Sequence, residues 1–123
     1  MKLTPNFNLN EFQSRDGSPM PENVKQNVIE LAKALQVIRD HLGQPITITS
    51  GYRSPAHNKK VGGAPKSTHV SGKGADFRVR DITPADLAAE IEKLIEGGRI
   101  PQGGLKAYRT WVHYDIRGKR ARW

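Results

Sequence analysis

The residues Ser67-Thr68-His69-Val70-Ser71-Gly72-Lys73-Gly74-Ala75-Asp76-Phe77-Arg78-Val79 decide the fold. Ala75 to Val79 read as a strand, and the polar, glycine-bearing residues before them as the end of a loop that opens at Gly51. Five glycines and two prolines lie between residues 51 and 74. At about 25 residues the loop is unusually long for a compact domain, and long ordered loops usually carry function. Upstream, Ile46-Thr47-Ile48-Thr49 alternates and is β-branched, the pattern of a half-buried strand. Before it, Val24, Val28, Leu31, Leu35, Ile38 and Leu42 recur at helical spacing, which predicts an amphipathic helix beginning at Pro21. Ile29 and Val37 widen its apolar face, Gly43 takes the cap position and Pro45 follows. Residues 1–20 are polar, with Leu9, Phe12 and Met20 as core contacts and a short helix near Leu9–Gln13. Downstream, Thr83-Pro84 starts a second long helix whose buried face is Leu87, Ile91, Leu94 and Ile95, ended by Gly97-Gly98. Leu105–Tyr108 and Trp111–Ile116 form a hairpin of two strands. This order predicts an α+β fold: one small domain over residues 1–123, with a mainly antiparallel sheet and flanking helices.

The composition narrows the function classes. With 123 residues the chain has the size of one domain and can bury a core without a covalent staple. The absence of cysteine excludes disulfides, thiolate zinc fingers, iron–sulfur sites and a cysteine nucleophile. No run of apolar residues is long enough for a membrane span, and the first ten residues carry no secretory signal pattern. Twenty Lys and Arg against twelve Asp and Glu give a net charge of +8, which attracts polyanions: nucleic acid, anionic lipid or an anionic cell wall. The run Arg117-Gly-Lys-Arg-Ala-Arg122 contributes four of these cations and reads equally as a solvated basic tail. No stacking motif or recognition helix accompanies it, so nucleic acid ranks last among the partners.

The chemistry gathers on the histidines. His41 lies at the C-terminal end of the first long helix, where a cationic imidazole favours the helix dipole. His69 and Asp76 are seven apart across a glycine-bearing segment that lets both side chains converge, and both are suitable zinc ligands. His113 on the last strand is the natural third donor, on one strand face with Trp111 and Asp115. Two His, one carboxylate and an open position describe a catalytic zinc site. The same spacing arises by chance in many chains, so spacing alone leaves the metal open.

The segment Ser67 to Asp76 resembles the S-x-H-x-x-G-x-A-x-D signature of zinc D-Ala-D-Ala carboxypeptidases and related peptidoglycan endopeptidases. Ser67, His69, Gly72 and Asp76 match, and Gly74 stands where the family has Ala. Ser50-Gly51-Tyr52-Arg53-Ser54-Pro55 with His57-Asn58 is similar to the family's S-G-Y-R-S-P stretch. His113-Tyr114-Asp115 and Arg122-Trp123 resemble the H-x-D and terminal R-W of its compact branch, common in phage and cell-wall enzymes. The resemblance covers roughly residues 5–123. It implies a hedgehog/D-Ala-D-Ala peptidase-like fold, a Zn²⁺ ion held by His69, Asp76 and His113, and Arg53 steadying the substrate carbonyl or oxyanion. Ser67 lines the site in this reading. His57 orients substrate or packs the loop, and Tyr52, Tyr114 and Trp111 wall the groove or fill the core. Many relatives place the catalytic acid three residues before the last His, where this chain has Thr110. Asp115 is then general base or a partner orienting a ligand, against the plainer reading of a salt bridge with Arg117 or Arg122.

The implied function is hydrolysis of peptide bonds involving D-amino acids in peptidoglycan stem peptides, as carboxypeptidase or endopeptidase. Peptidoglycan is the expected partner and a monomer the working assumption. The localisation implied is synthesis in the cytoplasm and action on the bacterial wall, by phage release or from a virion. A zinc-containing wall-binding module without catalysis is the alternative, since hedgehog signalling domains resemble this fold family without being peptidases.

Overall fold

A computed structural model describes residues 1–123. The helical repeat of Val24 to Leu42 folds as α1 (Glu22–Leu42), and Gly43 closes it in the left-handed region at φ 67°. Its buried stripe includes Val28, Leu31, Leu35 and Ile38, each contributing about 1.5–3 kcal/mol by leaving water. The chain then enters β3 (Ile46–Ser50), after a short N-terminal ribbon of β1 (Lys2–Thr4) and β2 (Phe7–Asn8). A 3₁₀ turn, Leu9–Phe12, stands where the short helix was expected. The β1–β2 ribbon has too few residues to show a period. The buried amide of Gln36 pins it to α1: its Oε1 accepts from Thr4 Oγ1 (2.8 Å) and Asn6 N (2.9 Å), and its Nε2 donates to Asn6 Oδ1 (2.8 Å).

The stretch read as one long loop contains two short helices, α2 (Pro55–Lys60) and α3 (Thr68–Ser71). Each has a serine cap: Ser54 accepts from His57 N and Ser67 from His69 N. They are too short and too polar to show a period, so only their caps mark them in sequence. Next come β4 (Gly74–Val79), α4 (Pro84–Glu96), β5 (Leu105–Ala107) and β6 (Val112–Asp115). Thr83 caps α4 as its Thr-Pro start predicts, and Leu87, Ile91, Leu94 and Ile95 are buried.

The four main strands form an antiparallel sheet in the order β3-β4-β6-β5. Ala75, Phe77 and Val79 alternate into the core with Ile46, Leu105, Val112 and Tyr114, alongside the apolar faces of α1 and α4. Asp76 and His113 are direct cross-strand partners and point the other way. The observed fold is α+β, a mainly antiparallel sheet with flanking helices. No helix is long and apolar enough to cross a membrane.

The basic C-terminal run is only partly a solvated tail. Arg122 grips Glu92 of α4 through two hydrogen bonds (2.9 and 2.7 Å) and donates to Gly103 O (2.6 Å). Arg117 turns inward onto Asp115, while Lys119 and Arg120 are exposed. At the end of α1, His41 faces Glu90 of α4, with Nε2 and Oε1 3.7 Å apart.

Candidate metal centre

Three elements meet at one end of the sheet. The cross-strand pairing of β4 with β6 sets Asp76 beside His113, and α3 brings His69 over both. Gly72 makes this approach feasible. It ends α3 at φ 77°, a conformation favouring glycine, and a Cβ there would lie 2.7 Å from Val24 Cγ1. At Gly74, where the resemblance places Ala, a Cβ would collide with Thr68 Oγ1 and sit 3.1 Å from His113 Cε1. The tighter residue leaves room for the two side chains above it.

The hydrogen bonds fix how each imidazole is turned. His69 Nδ1 lies 2.7 Å from the Gly51 carbonyl oxygen, which can only accept, so Nδ1 carries the proton. Nε2 is left with a lone pair, 3.3 Å from Asp76 Oδ1. His113 Nε2 lies 2.7 Å from Asp115 Oδ2, a carboxylate oxygen that also accepts from Arg117, and so donates its proton there. That leaves His113 Nδ1 facing the same Asp76 Oδ1 at 2.9 Å. Three acceptor atoms therefore converge, all within 4.8 Å of one another. Zinc bonds of about 2.0–2.2 Å require donors roughly 3–4 Å apart, which the two contacts at Asp76 Oδ1 approximate. The donor set fits a divalent cation. A proton shared between His113 Nδ1 and Asp76 Oδ1 also relieves the repulsion of their lone pairs, and both groups are shifted in the direction that favours it. Burial lowers the basicity of His113, but hydrogen bonds to Asp115 and Asp76 outweigh it and raise its pKa. Burial also resists ionisation of Asp76, yet hydrogen bonds from His113 and His69 hold its carboxyl below the usual range.

The donors open into a cleft of about 610 Å³ whose walls include Arg53, Lys66, Ser67, Tyr108, Trp111 and Trp123. Arg53 is anchored by its own amide to His69 O (3.1 Å), with Nη1 donating to Asn58 Oδ1 (3.4 Å) and Nη2 3.7 Å from Asp76 Oδ2. Ser67 reaches the wall as the cap of α3. Tyr108 and Trp111 flank the turn between β5 and β6 and stack with ring centroids 4.7 Å apart. Trp123 donates from Nε1 to Tyr108 OH (3.2 Å) and lies 5.5 Å from the His113 ring. Of these aromatic residues only Trp111 is suggested as a wall by the sequence reading. Tyr108 carries no motif, and the stack forms only once the hairpin pairs.

Other expected residues lie elsewhere. Tyr52 is 4% exposed and packs in the core, its amide bonded to Phe12 O. Tyr114 is wholly buried in the core as well. His57 sits on α2 and does not reach the cleft wall. Asp115 is 0% exposed and lies behind His113, on the nitrogen opposite the converging donors. A general base needs a carboxylate beside the reacting water, and this position does not supply one. Burial opposes the charge of Asp115, but hydrogen bonds from His113, Arg117 and the Gly104 amide keep it ionised well below the usual carboxylate range. Thr110, at the place of the missing acid, is exposed and does not line the cleft.

No curated protein matches the chain. The profile of the family described as Peptidase M15 matches residues 5–115, a span that takes in His69, Asp76, His113 and Asp115. With that match and a His-Asp-His cluster of the right chemistry, the chain belongs to the Peptidase M15 family, a family of zinc-dependent peptidases.

Proposed function

We propose that this peptidase hydrolyses bonds involving D-amino acids in peptidoglycan stem peptides, with zinc held by His69, Asp76 and His113. The observation that carries the reading is the convergence of three lone-pair donors at one end of an open, cation-walled cleft. When bound, zinc lowers the pKa of water and polarises the scissile carbonyl. Arg53, fixed beside His69, donates to the carbonyl oxygen as negative charge develops, an effect of about 3 kcal/mol for one such donor. Asp115 keeps the His113 proton on Nε2, so that Nδ1 faces the cleft as a donor to the cation. The free ammonium of Lys66 and the guanidinium of Arg53 attract anionic wall peptides, consistent with the net charge of +8.

One observation favours a second reading, a zinc-containing wall-binding module. Asp76 is the sole carboxylate on the cleft walls, and it is assigned to the metal. A digest of purified peptidoglycan with zinc-loaded protein, its products identified by mass, separates the two. The expected result is new D-amino-acid ends, absent with His69→Ala. Intact wall peptides despite bound zinc would overturn the peptidase reading for this substrate and leave the binding module.

A further inference from the structure

We propose that Arg117 is a positioning residue for the metal centre, acting through Asp115 on the imidazole of His113. This inference rests on the reading of His113 as a ligand. In sequence Arg117 is one cation of a basic run and one of two candidate salt-bridge partners for Asp115. In the structure its guanidinium clasps Asp115 edge-on, Nε to Oδ1 at 2.9 Å and Nη2 to Oδ2 at 2.8 Å. The Arg117 amide and the Gly104 amide add hydrogen bonds to Oδ1 (3.2 and 2.8 Å). Oδ2 accepts from His113 Nε2 (2.7 Å), with Thr68 Oγ1 at 3.4 Å. Both oxygens are thus held in a fixed plane, and that plane fixes the tilt of the His113 ring.

The backbone is built around this clasp. A Cβ at Gly103 or Gly104 would collide with Asp115, and at Gly104 it would also come within 2.8 Å of Arg117 Nη2. The guanidinium lies 5.6 Å from the Trp123 ring, which itself lies against His113. Arg117 therefore supports the ligand by two routes, the carboxylate and the indole. Its side chain is 38% exposed while that of Asp115 is fully buried, so the arginine supplies the counter-charge from the cleft side. A lysine ammonium donates from a single nitrogen and lacks the planar two-pronged geometry.

The test is zinc affinity, measured by competition with a chromophoric chelator, together with the absorption spectrum of the cobalt-substituted protein. Arg117→Ala is expected to weaken zinc about 10- to 100-fold and to alter the cobalt bands, as loss of support to a ligating histidine does. Arg117→Lys is expected to recover part of both, and it decides the matter if Arg117→Ala does not fold. A role confined to folding would instead lower the melting temperature of the metal-free protein while the folded fraction kept wild-type affinity and spectrum, and that result overturns the proposal. Failure of the wild-type protein to bind zinc would remove the ligand reading itself, which this result distinguishes from a silent Arg117.

Discussion

At the scale of single residues, the site depends on which nitrogen of each imidazole holds a proton. Gly51 O fixes it for His69 and Asp115 for His113, and both choices leave a lone pair on the side of Asp76. Arg53 works differently. It is the guanidinium nearest Asp76, and its backbone is tied to the carbonyl of His69. In the proposed mechanism its contribution goes to the reacting carbonyl rather than to metal retention. Arg53→Ala is therefore expected to lower kcat by about 10²–10³-fold, the usual loss of one oxyanion donor, with zinc content unchanged. Steady-state kinetics on a wall peptide, with metal analysis of the same sample, check this. Loss of zinc in the variant would make Arg53 a support of the site instead. His69, His113, Asp76 and Arg53 were legible in the sequence because each sits inside a stretch that resembles the family's motifs. Burial of Tyr52 was not, because an aromatic residue beside a loop suits a groove or a core equally well until its neighbours are placed.

At the scale of elements, the cleft relies on short helices that do not stabilise themselves. Six-residue α2 and four-residue α3 fall well below the length at which an isolated helix persists, so caps and tertiary contacts hold them. Asp16 provides one such contact from the N-terminal segment: its Oδ2 accepts from Ser54 Oγ (2.6 Å), the α2 cap, and its Oδ1 from Ser14 Oγ (2.7 Å). The bonds from Ser54, Ser14 and the Ser18 amide hold the Asp16 carboxyl below the usual range. A depressed folded pKa stabilises fully above the unfolded value, about 3.9, and that contribution fades as pH falls through the folded one. The stability gap between wild type and Asp16→Asn is thus expected to be full at neutral pH and to close in acid. Urea unfolding of metal-free protein at several pH values measures it, and a gap independent of pH would contradict the assignment. The long helices needed no such help to be read from sequence, since their apolar period is repeated over several turns. The short ones left only a Ser-Pro and a Ser-Thr-His as traces.

At the scale of the molecule, the proposed metal would join three separate elements of the chain at one point. His69, Asp76 and His113 come from α3, β4 and β6, so a bound ion ties the former loop to the sheet. A ligand bound only to the folded state at 100 times its dissociation constant adds about 2.7 kcal/mol. For a domain of this size that corresponds to a rise in melting temperature of about 10 °C. Thermal unfolding with zinc and with a chelator is expected to show that difference, and His69→Ala to abolish most of it. Equal melting curves would show that zinc does not engage this cluster. The sequence by itself determined the class of fold, the two long helices and the four main strands, and its motifs singled out His69, Asp76 and His113 as candidate donors. Periodicity and motif spacing are local properties, and a chain displays them before it folds. Tertiary structure alone decided that Asp115 lies behind His113, that Arg117 clasps it, that Tyr52 and Tyr114 are core, and that Tyr108 joins the cleft wall. Those outcomes depend on strand register, where Asp76 meets His113 at a sequence separation of 37, and on close packing against glycines 103 and 104. Contacts so distant in sequence are set by which surfaces bury one another, and local residue pattern does not encode that choice.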